Sequence, residues 1–153
     1  MFVAEYTHKP LRKADVFDLV ASWAAGWWSL DDAGAVMSPE VLPDEGVMTS
    51  LDGKPVVVSF IYDVPSSGIS LHAYLLADPS LDAATRGQAV QAHVPAAVQR
   101  SEDLGNTYQM WICDHPKLTT SLQRDHGFHA GFTNCAAVYR TSEGAERLAA
   151  LDP

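Results

Sequence analysis

Apolar and polar positions alternate, take up a helical spacing and then alternate again along this chain, and each change of period marks an element. "FVAEY", residues 2–6, alternates as a strand does. Through "LRKADVFDLVASWAAGWW" the apolar positions Val16, Leu19, Val20, Trp23 and Trp27 fall at helical spacing, with Pro10 ahead and Gly26 where the pattern weakens. "LDDAGAVMSPEVLPDE" is turn-rich and irregular. The sharpest local signal is "GVMTSLDGKPVVVSFIY", where two β-rich runs flank Asp52-Gly53, a pair suited to the left-handed backbone of a hairpin tip.

After "DVPSSG" the run "ISLHAYLLA" predicts another strand. A helix follows, capped by Asp82 or Ser80, running to about Leu104, stopped by Gly105 and kinked at Pro95. "TYQMWIC" reads as a strand, and "DHPKLTTSLQRDHGF" as a helix that starts at Pro116 and stops at Gly127. A short strand just after Gly127, the strand "FTNCAAVYR" and a helical tail at 142–153 complete the reading. The order predicts a single α/β (α+β) domain over 1–153, a mixed sheet with helices on both faces. Such a sheet offers a ligand crevice where neighbouring strands diverge near their carboxyl ends. "LLADPSLDAATRGQAVQ", Leu75 to Gln91, lies beside that point.

Composition narrows the partners. The 153 residues, 47% hydrophobic and 19% charged, suit one globular core. No apolar run approaches the roughly 20 residues that cross a bilayer, so no membrane partner is expected. "MFVAEYTHKPLRK" places its charges after a short apolar piece with no cleavage-site pattern, which predicts a cytoplasmic protein. A net charge of −9 repels nucleic-acid backbones, and the basic clusters "HKPLRK" and "AVYR" are too small for a groove. Nucleic acid is therefore disfavoured. Cys113 and Cys135 have no metal-ligand spacing and lie in apolar, strand-like runs, the pattern of reduced buried thiols.

"VLPDEGVMTSLDGKPVVVSFIY", with Leu42-Pro43, Gly46 and Pro55-Val56, the aromatic "WAAGWW" before it and "SLQRDHGF" near the end, in this order and spacing, resemble the GCN5-related N-acetyltransferase (GNAT) superfamily. The chain looks most like the small members encoded by bacteriophages, and the resemblance covers nearly all of it. It implies a largely antiparallel sheet of six to seven strands and an acetyl-CoA co-substrate. The acetyl group would pass to a small amine or a protein amine by direct attack on the thioester, in the host cytoplasm. Pairing of edge strands into a homodimer is the oligomer it suggests.

The same resemblance assigns residues. Leu75, Leu76 and Ala77 would lie along the pantetheine arm, and Arg86, Gly87, Gln88 and Ala89 would receive the pyrophosphate at the helix start, with Asp114 touching the cofactor further on. The phosphate signature has glycine where this chain has Ala89, and a small final residue where it has Gln91. An alanine methyl and a glutamine side chain both crowd the approach of a phosphate. Gln123 stands where many members carry a proton-donating tyrosine, leaving water, Tyr139 or Tyr108 as substitutes.

Other residues carry two readings each. His72 and Tyr74, two apart on a strand, are expected on one face. His72 would take a proton from the amine with Tyr74 beside it, or would be a half-buried histidine satisfied by a neighbour. Asp114, the third catalytic candidate, is equally an N-cap. His126 and His129 lack a third ligand at a sensible interval, so no metal is predicted. Trp23 and Trp27 share a helix face and are expected in the core, while Trp28 lies off it and would line the substrate pocket. Beside the acyltransferase stand two alternatives. One is a protein of this fold without catalysis, a phage binding or inhibitory module; the other is a phage enzyme that modifies DNA bases.

Overall fold

The computed structural model describes residues 5–27, 42–113 and 115–129. The expected strand in "FTNCAAVYR", the tail at 142–153, Trp28 and Asp114 lie outside them. Strands β1 (Tyr6–Leu11), β2 (Glu45–Leu51), β3 (Lys54–Val64), β4 (Ile69–Ala77) and β5 (Tyr108–Trp111) form one sheet in that order. Neighbours pair antiparallel from β1 to β4, and β5 lies parallel to β4. Helix α1 (Lys13–Trp27) follows β1, α2 (Ala83–Asp103) crosses from β4 to β5, and α3 (Pro116–His126) follows β5. The described sheet therefore has five strands.

Local rules account for most boundaries. Leu51 pairs with Lys54 across Asp52-Gly53, both with positive φ, as a two-residue hairpin requires. Asp82 caps α2, α2 runs unbroken through Pro95, and Gly105 follows its end at φ +89°. Helix α3 starts at Pro116 and ends on left-handed Gly127. The first strand departs from expectation: it spans Tyr6–Leu11 rather than residues 2–6, and it contains Pro10. β1 is an edge strand, where a missing N–H faces no partner.

The sheet is covered on both faces. Val16, Val20, Trp23 and Ala24 of α1 pack on Met48, Val58, Phe60 and Leu76. On the other face α2 buries Ala89, His93, Val94, Ala97 and Ser101. A polar seam lies inside that second layer. His93, with no solvent exposure, holds Thr49 Oγ1 on Nδ1 at 2.7 Å and Ser59 Oγ on Nε2 at 2.7 Å. Thr49 also meets His8 Nδ1 at 2.8 Å, so one hydroxyl proton serves two rings and at least one ring must donate. Ser101 of α2 meets Ser70 of β4 at 2.6 Å in the same layer. Each pair satisfies groups that would be costly to bury alone.

Candidate active site

β4 and β5 pair through four rungs, from Ile69 with Tyr108 to His72 with Trp111, and there the ladder stops. β4 continues to Ala77, so from Ala73 onward its β5-side edge is unpaired with β5. The parting coincides with a bulge. Val58 pairs with Leu76 and Phe60 with Ala73, leaving Tyr74 and Leu75 opposite Ser59 alone, and Tyr74 takes φ +51°. An extra residue bends a strand and re-aims its side chains.

That bulge separates the two residues expected on one face. His72 stacks on Trp111, with centroids 4.6 Å apart at 10°, in the layer under α2. Tyr74 packs with the α1-side core. Alternation fails between them because the bulge inserts half a strand period. His72 is 1% exposed, and burial pushes its pKa down to about 4. Gln109 sits near enough to raise it partly, yet neither His72 Nδ1 nor Gln109 Oε1 reaches hydrogen-bond geometry; Trp111 Nε1 is likewise buried and unpartnered. Tyr74 lies beside Tyr62, ring centroids 6.5 Å apart. Burial, with Tyr74's charge and hydrogen bond, raises Tyr62 to about 12.

At the carboxyl end of β4 the backbone meets α1. Trp27 donates its indole N–H to Ala77 O at 2.8 Å, and its ring, 44% exposed, carries the Arg86 guanidinium at 5.0 Å. Trp27 is thus a lid on the strand end rather than the core residue its spacing predicted, because helix α1 ends there. Gly26 beside it admits Pro79, whose Cγ would lie 2.8 Å from an added Cβ. Arg86 also donates to Leu81 O.

Solved structures provide the comparison. A GCN5-related N-acetyltransferase from Ralstonia eutropha JMP134 matches at TM-score 0.59 and 16% identity, over 88% of this chain and 99% of that one. A ribosomal-protein-alanine N-acetyltransferase from Brucella melitensis biovar Abortus 2308 matches at 0.58 and 15%, over 90% and 100%. The aminoglycoside N-acetyltransferase AAC(6')-Iy in complex with CoA matches at 0.52 and 16%, over 92% and 97%. No protein-family profile and no curated protein matches the sequence.

The chain has the GNAT fold.

Within that fold the phosphate signature sits differently from its sequence reading. α2 begins at Ala83, so Arg86–Gln91 lies beyond its first turn, where helical N–H groups are used by carbonyls four residues earlier. Gly87 and Gln88 are exposed, and Ala89 is fully buried against Val56, Val57 and Ala77. Of the first-turn N–H groups, those of Ala84 and Thr85 already go to Asp82 Oδ1, at 2.9 and 3.0 Å. Leu75 is half-buried, and Leu76 and Ala77 are buried. Past the last rung the edge of β4 is free of β5 as far as Leu76, with Trp27 on the Ala77 carbonyl, and the Asp82 carboxylate stands against an anion at the first turn of α2.

Gln91 has a use the sequence did not show. Its amide donates to Ser121 Oγ, and its Oε1 meets His126 Nε2 at 2.8 Å, clasping α2 to α3. Gln123 is exposed, and Tyr108 is 62% exposed. The N-cap position of α3 is His115, which makes no side-chain cap. Phe128 turns inward after Gly127 and meets Trp111 edge-on at 5.8 Å. Cys113 is half-buried with its sulfur 3.3 Å from Thr119 Oγ1. No helix among the described residues is long and apolar enough to cross a membrane. Sequence reasoning missed Tyr62, Asp82 as a rival anion and the Gln91 clasp; only Asp82 left a signal, its position three residues before Thr85.

Proposed function

We propose that this chain is an acyl-CoA-dependent N-acetyltransferase that passes an acetyl group to an amine by direct attack on the thioester. One observation carries the reading: β4 parts from β5 after the His72–Trp111 rung, at a bulge, and leaves the edge from Ala73 to Leu76 unpaired with β5, beside an Ala77 carbonyl that holds Trp27. The amides of a pantetheine arm can add to such an edge as another strand would. The fold it shares with acetyltransferases, one of them solved with CoA, supports the same reading.

In the reaction the amine nitrogen bonds to the thioester carbon and the carbon–sulfur bond breaks. The amine releases its proton to solvent, and the departing thiolate needs one. Tyr74, at the bulge, is the residue for that step. Tyr62 stays protonated at neutral pH and hydrogen bonds with Tyr74, holding its ring in place. His72 stays neutral at pH 7 and keeps the root of the gap rigid through its stack on Trp111. Much of the acceleration then comes from orienting two bound reactants. From the resemblance, Asp114 meets the co-substrate near the end of β5 and Trp28 lines the acceptor pocket. The likeness to small bacteriophage-encoded members rests on the sequence motifs, and the acceptor is a small amine or a protein amine.

A second reading, a binding or inhibitory module without catalysis, is favoured by the Asp82 carboxylate on the first turn of α2. Titration of the purified protein with acetyl-CoA separates the two. Measurable heat and a raised Tm support the transferase; neither heat nor shift at millimolar ligand ends it.

A further inference from the structure

A line of side-chain contacts leads from the edge of the sheet into its core. Exposed His8 on β1 meets Thr49 Oγ1 through Nδ1 at 2.8 Å, and Thr49 meets His93 Nδ1 at 2.7 Å. His93 Nε2 then meets Ser59 Oγ at 2.7 Å. Thr49, His93 and Ser59 have no solvent exposure. The line begins at the surface and ends at the β3 residue that Tyr74 and Leu75 face across the β4 bulge.

Each hydroxyl has one proton to give, and so has each neutral ring. With both rings neutral, one arrangement uses every proton. Thr49 donates to His8, His93 Nδ1–H donates to Thr49, and Ser59 donates to His93 Nε2. A charged His8 excludes it, because its Nδ1 must then donate. Thr49 turns its proton to His93 Nδ1, the His93 proton sits on Nε2, and Ser59 becomes the acceptor. Keeping the His93 proton on Nδ1 would aim two N–H groups at one oxygen, one of them from a cation, and leave the buried Thr49 proton unused. In the reversed chain every dipole points away from the charge, and neighbouring bonds strengthen one another.

We propose that His8, Thr49 and His93 form a tautomer relay: protonation of His8 at the surface shifts the His93 proton from Nδ1 to Nε2 and reverses the Ser59 hydrogen bond beside the β4 bulge. The His93 ring loses one proton and gains one, so the added charge stays on His8 and none enters the core. Other charged groups near this layer are engaged elsewhere. Arg100 pairs with Glu45 at 2.7 Å, Asp63 accepts from Asn106 at 2.9 Å, and Arg86 lies over Trp27. Tyr6 packs by Val56 and Ala89, and Lys9 lines a cleft on the α1 side. The charge of His72 on β4 also bears on His93, and burial keeps that ring neutral until about pH 4. Burial holds His8 below the ordinary 6.5 of a free ring, and His93 itself stays neutral until about pH 3. His8 therefore titrates before either buried ring.

The test is nitrogen-15 NMR of the histidine rings from about pH 8 to about pH 5, on the wild type, His8→Phe and Thr49→Val. His8 is exposed, and an unchanged amide spectrum away from β1 shows that His8→Phe is folded; should Thr49→Val fail to fold, His8→Phe decides alone. In the wild type the two His93 nitrogens should exchange their protonated and bare shifts, at the midpoint of His8's own titration. Each folded variant should hold one His93 tautomer throughout. A wild-type His93 tautomer that stays fixed while His8 titrates overturns the relay. So does a His93 ring protonated at both nitrogens in that range, or an exchange of shifts that survives either substitution.

Discussion

Asp82 accepts the backbone N–H of Thr85 at 3.0 Å through one carboxylate oxygen and the Thr85 hydroxyl through the other. Those bonds hold the Asp82 carboxyl below the usual carboxylate range. A negative group at the positive end of a helix is favourable for the fold and unfavourable for any second anion there.

Replacing Asp82 separates these two effects. Asp82→Asn keeps a good N-cap and removes the charge, so Tm at pH 7 should fall only slightly while acetyl-CoA affinity rises severalfold. Asp82→Ala loses the cap as well and should melt lower. Scanning fluorimetry and titration on the two variants check this; a weaker acetyl-CoA affinity in Asp82→Asn would contradict it.

Gly46 sits where an added Cβ would come within 2.3 Å of the Ser59 carbonyl oxygen, a backbone atom that cannot swing away. Gly46→Ala should destabilise the fold by about 1–3 kcal/mol. Guanidinium unfolding, with an unchanged slope and a lower midpoint, is the expected record.

His72 and His93 set the acid limb of stability. Burial lowers both, His72 to about 4 and His93 to about 3, against 6.5 for a free ring. Below pH 6.5 the unfolded chain takes up protons that the folded chain refuses, so stability is complete above that pH and falls as acid is added toward pH 3. Each ring contributes a slope of up to about 1.4 kcal/mol per pH unit in that window. Thermal melts from pH 7 to 4 should show the decline, and His93→Gln should flatten it.

Ser59 supplies the only bond to His93 Nε2 among the described residues. Ser59→Ala leaves that buried nitrogen unsatisfied and should cost about 1–3 kcal/mol. Urea unfolding reads the loss directly; an unchanged midpoint would show that the nitrogen finds another partner.

Tyr74→Phe removes the hydroxyl assigned to the thiolate proton. Loss of a general acid should lower kcat about a hundredfold with little change in KM. Tyr62→Phe should have a smaller effect. Tyr62 also marks the alkaline limit: with its pKa raised from 10 to about 12, its share of stability is complete below pH 10 and is lost as pH rises toward 12.

Much of the fold was legible because the signals were local. Asp52-Gly53 names a tight hairpin by backbone conformation, Asp82 and Gly105 bracket α2 by capping, and Pro116 and Gly127 bracket α3 likewise. The span of β4, Ile69–Ala77, also followed from the sequence. The site was less legible. Strict alternation placed Tyr74 beside His72, and the bulge that parts them depends on two β4 residues facing Ser59 on another strand. Helical spacing put Trp27 in the core, although the position of Ala77 decides that its indole ends as a lid.

Local conformation, charge and the order of elements belong to the sequence by itself, because turns, caps and periodicity act between residues a few positions apart. Where β4 leaves β5 and which side chains clasp α2 to α3 were decided by the tertiary structure. Those are relations between residues far apart in the chain, such as Gln91 and His126, and they exist only once the helices have packed.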